Sequence, residues 1–246
     1  MGRGRERLHE RTSTGATEQP ILPDEKNFES PRDMTLARFL DEAASGRPTP
    51  GGGAVAALAA ALAASMAEMT LNFTVGRARF AAAEGRARAL LADAAAMRRR
   101  LLELVEADMK AYGAVSAAQK LPKASAEEKA TRAAAIREAT RTALAPPLET
   151  VRIARRLAPL VEEVFAIGNP NLCGDTAGAA ALLPAAARAA AVNVWANLSS
   201  LDGAEASAVG AEVAECLERV DAACDAVYVR GEASLCPKKK SGSTSR

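Results

Sequence analysis

The chain has 246 residues, 49% of them hydrophobic and only 3% aromatic, with a formal net charge of +2. That length supplies core enough for one large domain or two small ones. The near-neutral charge and the few rings offer neither the basic surface nor the stacking platform that nucleic acid requires. The apolar content is mostly alanine, leucine and valine. Alanine is the best helix former, and the β-branched and aromatic runs that strands want are nearly absent, so the expected class is all-α.

Residues 1–33 read as a mobile charged leader (Arg3, Arg5, Glu6, Arg7, Glu10, Arg11), and it holds the chain's one histidine, His9. Histidine is thereby set aside as general base, triad member or metal ligand. The four cysteines (Cys173, Cys216, Cys224, Cys236) lack metal-ligand spacing, so neither a metal site nor a cofactor is expected. The N-terminus does not read as a signal peptide, and free thiols in a reducing cytoplasm are the expectation. A domain over 34–233 follows, then a basic tail, 234–246, whose Lys238-Lys239-Lys240 is a solvated charge run.

Within the domain, a short helix near Met34–Ala44 leads into Pro48-Thr49-Pro50-Gly51-Gly52-Gly53. Long helices are expected at Ala54–Arg79 and Ala81–Gln119, the second stopped by Pro122. Ser125 with Glu128 three residues on is a capping box opening a helix that is broken or kinked at Pro146-Pro147 and resumes to Phe165. After the loop Gly168–Gly174, two helices span about Asp175–Leu201 and Gly203–Glu232. Ala54–Phe73 is about as long as a membrane span, at ~20 residues, but Glu68 and Asn72 interrupt it. A buried helix in an up-and-down bundle is expected, with no membrane contact.

Five constellations could carry chemistry. Gly51, Gly52 and Gly53 enter a helix whose first N–H groups have no intrahelical partner and lie at the positive dipole end. A ligand can approach such a backbone closely, although the same glycines would also serve plain packing. The chain continues Ala54-Val55-Ala56 rather than Lys-Ser/Thr, and a helix rather than a strand precedes the glycines, so neither a Walker loop nor a dinucleotide fingerprint fits. Asp175, flanked by Asn169 and Asn171, reads either as a helix N-cap or as an acid that handles a proton while the asparagines bind a ligand amide. Asp108 and Tyr112 share a helix face at i, i+4, either as an exposed polar stripe or as an inward pair whose acid has a raised pKa. Asn193 and Asn197 share a face as polar glue or as ligand contacts. Asp175 precedes Asn193 by eighteen residues, roughly 27 Å of helix, so they meet one small ligand only if a two-fold dimer apposes opposite ends. Lys120, Lys123, Lys129 and Arg132 cluster round the Pro122 turn, as solvated surface or as a holder for a polyanionic tail.

The proline–glycine entry running into Ala54-Val55-Ala56-Ala57-Leu58 resembles the cyclodeaminase/cyclohydrolase family. Asp108–Tyr112, Leu121-Pro122-Lys123 leading through Lys129 to Arg132, Asn169–Asp175, and Asn193-Val194 with Asn197-Leu198 resemble it in the same order, from roughly Thr35 to Val229. The resemblance implies an all-helical dimer acting on a tetrahydrofolate one-carbon derivative, with folate as substrate and no separate cofactor. It implies hydrolysis of 5,10-methenyltetrahydrofolate to 10-formyltetrahydrofolate, with ammonia release from 5-formiminotetrahydrofolate as the alternative. A non-catalytic folate-binding or scaffold bundle is the other alternative. On that reading Asp175 or Asp108 activates water, Tyr112 assists the proton, Gly51–Gly53 hold a pterin carbonyl or oxyanion, and Lys123 and Arg132 meet the glutamate tail. Ala54 and Gly174 stand where the family pattern leads one to expect serine.

Overall fold

The computed structural model describes residues 29–235; His9, Cys236, Lys238–Lys240 and most of the two terminal segments named above lie outside them. Among the described residues there are seven α-helices and no strand: α1 (Leu36–Ala44), α2 (Gly52–Asn72), α3 (Glu84–Gln119), α4 (Ala126–Ala143), α5 (Ala145–Ile167), α6 (Cys173–Asn197) and α7 (Gly203–Leu235). Residues 29–33, counted above with the leader, form a turn tied to α3: Ser30 Oγ donates to Glu106, and Arg32 pairs with Glu103.

Local chemistry sets most boundaries. Thr35 caps α1 by accepting from Arg38 N–H, and Ser125 and Glu128 form the expected capping box of α4. Two boundaries differ from the sequence reading. The second helix ends at Asn72, not Arg79, because the chain turns through Gly76 at φ 74° and a 3-10 segment, Ala78–Ala83, before α3. Of the two readings at Pro146-Pro147, break or kink, the break holds: α4 ends at Ala143, and the prolines occupy the first turn of α5, where the missing N–H groups would have had no partner. Asp175 is not the N-cap of α6: that helix starts at Cys173, Leu172 is the N-cap residue, and Asp175 sits inside the first turn.

Helix α2 packs on α3, α5 and α6, and α6 packs in turn on α5 and α7. Alanines make the α2 contact surface (Ala54, Ala57, Ala60, Ala61, Ala64 and Ala67 are all buried), and short side chains let helix axes approach closely. Larger side chains, among them Leu71, Leu101, Ile153, Leu157 and Leu183, fill the layers between. Gly52–Asn72 and Pro170–Ser200 are long and apolar enough to cross a membrane, and in the bundle more than half of each is buried against other helices. Cys216 and Cys224 are free and buried; burial, then the nearby Asp221 carboxylate, pushes the Cys224 thiol up to about 12, leaving it unreactive.

Candidate active site

The polar centre of the fold lies where the proline–glycine entry meets α3 and α6. Gly51, with extended backbone, is the N-cap of α2 and offers no side chain to its first turn. Asp108 of α3 supplies the missing acceptor from outside: its carboxylate takes the N–H of Ala54. The approach is so close that a Cβ on Gly53 would stand 2.1 Å from Asp108 Oδ1. Glycine at 53 is therefore a condition for the carboxylate's position. One residue earlier, a Cβ on Gly52 would meet the Asn193 carboxamide at 3.1 Å, and Asn193 is steadied by donating from Nδ2 to Ala189 O at 2.8 Å. Two adjacent glycines thus carry an acid and an amide from two different helices. The N–H groups of Gly52 and Gly53 lie in the first turn of α2 and have no intrahelical acceptor.

Burial pushes the Asp108 carboxyl up to about 6, and the Ala54 N–H, which favours the charged form, only partly offsets it. Of the two readings of the Asp108–Tyr112 pair, the inward one describes the acid: Asp108 is half-buried, while Tyr112, one turn on, is 44% exposed at the mouth. Ala54, where serine was expected, is fully buried, and what it gives Asp108 is its backbone N–H. The absent hydroxyl leaves that bond in place.

The remaining candidates lie elsewhere. Asn197 donates from Nδ2 to Ala143 O at 3.3 Å, closing the end of α4. Arg132 donates from Nε and Nη2 to Gln119 O at 3.1 and 3.0 Å, tying α4 to the last turn of α3. Lys123 is exposed in the turn between them, roughly 17 Å along α3 from Asp108 to Gln119. Asn169, Asn171 and Asp175 are at the other end of the bundle. Asn169 is buried, its Oδ1 caps a 3-10 turn by accepting from Asn171 N–H, and its own N–H donates to Thr74 Oγ1 at 2.9 Å. Asn193, left above as polar glue or ligand contact, is the residue whose place sequence reasoning missed. Only the pairing of Gly52 with α6 reveals it, and that pairing needs the third dimension.

Two outcomes follow from this geometry. Gly53→Ala drives the Asp108 carboxylate off its donor, so activity should fall about 100-fold, the scale set by ångström misplacement of a reacting group. Gly85→Ala, where the added Cβ meets open space, should leave activity unchanged in the same assay. The second outcome concerns stability. An acid whose folded pKa is raised favours the folded state while protonated, and that advantage is lost as pH rises towards its folded pKa of about 6. Asp108→Asn keeps an acceptor for Ala54 N–H without the buried charge. It should therefore be more stable than the parent above pH 6, by at most roughly 3 kcal/mol, and lose that margin towards pH 4, as followed by urea titration at each pH.

Comparison with known proteins matches this chain to one group. The formiminotransferase-cyclodeaminase family profile covers residues 35–215. Methenyltetrahydrofolate cyclohydrolase of Methylorubrum extorquens is 39% identical over 168 residues, spanning 68% of this chain and 81% of that one. Formimidoyltransferase-cyclodeaminase of Rattus norvegicus is 35% identical over 181 residues, and the match spans 74% of this chain but 34% of that longer protein. Among solved structures, formiminotetrahydrofolate cyclodeaminase of Thermotoga maritima superposes with a TM-score of 0.67 at 30% identity, covering 83% of this chain and 96% of its own. The glycine entry, the buried acid and these matches together make the chain a member of the formiminotransferase-cyclodeaminase family.

Proposed function

We propose that this protein hydrolyses 5,10-methenyltetrahydrofolate to 10-formyltetrahydrofolate in the cytoplasm, with Asp108 as the general base. The observation that carries this is a half-buried carboxylate, titrating near 6, seated on the glycine N-terminus of α2. The methenyl carbon is already an electrophilic amidinium, so the reaction asks for a positioned water and modest base help rather than a metal or a strong acid. Asp108, ionised at neutral pH, takes a proton as water oxygen bonds to that carbon. Loss of the hydroxyl proton then forms the formyl C=O, the bond from carbon to N5 breaks, and N5 receives the proton from Asp108. One proton is released overall.

The N–H groups of Gly52 and Gly53 are oriented to hold the oxygen as it gains charge. The Asn193 amide faces the pterin edge, and Tyr112 stands one turn of α3 beyond Asp108. Asp175, roughly 27 Å along α6 from Asn193, does not share this site within one chain. Release of ammonia from 5-formiminotetrahydrofolate yields that methenyl compound as its product: N10 bonds to the formimino carbon, the bond from that carbon to the amino nitrogen breaks, and the same acid would protonate the departing nitrogen. It is the second reading because the rat and Thermotoga relatives carry that name.

A homodimer belongs to this reading. Helix α2 is apolar all round, yet Val55, Leu62 and Met69 remain 44%, 52% and 37% exposed at seven-residue spacing along one face. A two-fold axis at Leu62 would pair Val55 with Met69 of the other copy and lay Gly51–Gly53 beside Leu71–Phe73.

Two measurements test these statements. With methenyltetrahydrofolate followed by loss of absorbance, and the formimino substrate by ammonia, kcat/KM for the preferred substrate should climb with pH to a plateau above about 6. Asp108→Asn should lower it at least about 100-fold while the protein stays folded, and near-parental turnover in that variant overturns the assignment. Leu62→Glu should convert a dimer to a monomer by light scattering at micromolar concentration; a monomeric parent protein ends the dimer reading.

A further inference from the structure

At the end of the bundle opposite Asp108, a cavity of about 610 Å³ opens between the turn after α2 and the loop before α6, lined by Phe73, Arg77, Arg79 and Asn169 among others. Its cations differ from those of two other clefts. The arginines lining the two other large clefts, Arg100, Arg141 and Arg152 in one and Arg155, Arg156 and Arg219 in the other, all pair with glutamates. Arg77 and Arg79 make no ion pair with a described residue, and no carboxylate lines their cavity. The nearby Glu84 is already engaged, accepting from Gly76 N–H at 2.8 Å and pairing with Arg88 at 2.6 Å.

The rest of the wall is built rather than loose. A buried relay holds the Asn169 loop: Thr176 Oγ1 and Thr70 Oγ1 lie 3.0 Å apart, Thr74 Oγ1 donates to Thr70 O at 2.7 Å, and Asn169 N–H donates to Thr74 Oγ1. Asn169 Oδ1 is committed to the local turn, which leaves its amide protons for an acceptor in the cavity. Arg79 lies over the Phe80 ring at 4.5 Å, which fixes its direction, and the Phe73 ring is 49% exposed. The carboxyl end of the α2 dipole opposes an anion here, and two guanidinium groups without an ion pair outweigh it.

We propose that this cavity binds a carboxylate borne on a short chain beside an aromatic ring, with Arg77, Arg79 and the Asn169 amide on the carboxylate and Phe73 against the ring. Such a ligand has two possible sources: a free aroyl amino acid, or the aminobenzoyl-glutamate end of a folate whose pterin occupies the Asp108 site of a second copy. The second source rests on the folate and dimer readings above; the binding chemistry itself does not.

The probe is p-aminobenzoyl-L-glutamate, titrated calorimetrically into the full chain carrying Asp108→Asn, with L-glutamate as the ring-free control. The expected result is saturable binding, weaker for L-glutamate, that drops at least tenfold in Arg77→Ala/Arg79→Ala and is partly restored by Arg77→Lys/Arg79→Lys. Both arginines are exposed, so circular dichroism should show all variants folded. No saturable binding, or unchanged affinity in the double alanine variant, overturns the proposal. Steady-state assays of the same arginine variants with Asp108 intact then assign the source. A rise in KM at constant kcat identifies the tail of a substrate held by the neighbouring copy, and unchanged kinetics identify a separate ligand. Should the parent protein turn over no folate, the binding result still stands or falls by itself.

Discussion

The contact between the Asp108 carboxylate and the backbone at Gly53 is what the rest of the site depends on. A carboxyl group placed between packed helices would ordinarily be neutralised by desolvation. Here the first turn of α2 supplies a donor, the Ala54 N–H, and the glycine before it removes the one atom that would block the approach. The donor offsets the burial only in part, and the acid titrates at about 6. More burial would leave it protonated at working pH; a fuller set of donors would make it too weak a base to move a proton. The acid's usefulness comes from a helix terminus left without a side-chain cap.

That arrangement has a structural cost which the alanines absorb. For α3 and α6 to bring Asp108 and Asn193 onto adjacent residues of α2, all three helices must run close together at that level. Leucine-sized side chains at the contact would hold the axes apart. Ala54, Ala57, Ala60, Ala61, Ala64 and Ala67 keep them close along the whole of α2, so a composition that first reads as mere helix propensity is also what sets the distance between the acid and its donor. The penalty is a thin hydrophobic contribution per residue, offset by the leucine and isoleucine layers further out.

The class, the helices and the alanine core were legible in the sequence, because periodicity, capping residues and prolines act locally. The Ser125–Glu128 box and the stop at Pro122 are examples. Open or mistaken readings fell where two local rules competed. Pro146-Pro147 fits a kink or a first turn equally well, and Asp175 could cap a helix or sit inside its first turn; neighbours decided both. The glycine entry and Asp108 were each visible as candidates, but nothing in the chain joins residue 53 to residue 108 or residue 52 to residue 193. Those pairings depend on helix–helix register. The same limit explains why the basic turn looked like a binding site: spacing displays the charge of Arg132 but hides its bonds to the Gln119 carbonyl.

One tension in the chain remains instructive. The proposed sites at the Asp108 end and the Asn169 end are held most of a bundle length apart by α2 and α6. Within one subunit they cannot serve one small molecule. The apolar face of α2 that runs between them, centred on Leu62, is arranged so that a two-fold axis would reverse that separation. Charge supports the same apposition, since one end carries a carboxylate and the other two unpaired guanidinium groups, and antiparallel helix dipoles attract rather than repel. If the two ends do meet across a dimer, the exposed stripe is part of the site's construction: the helix that positions the acid also carries the surface that brings the partner's cations to it.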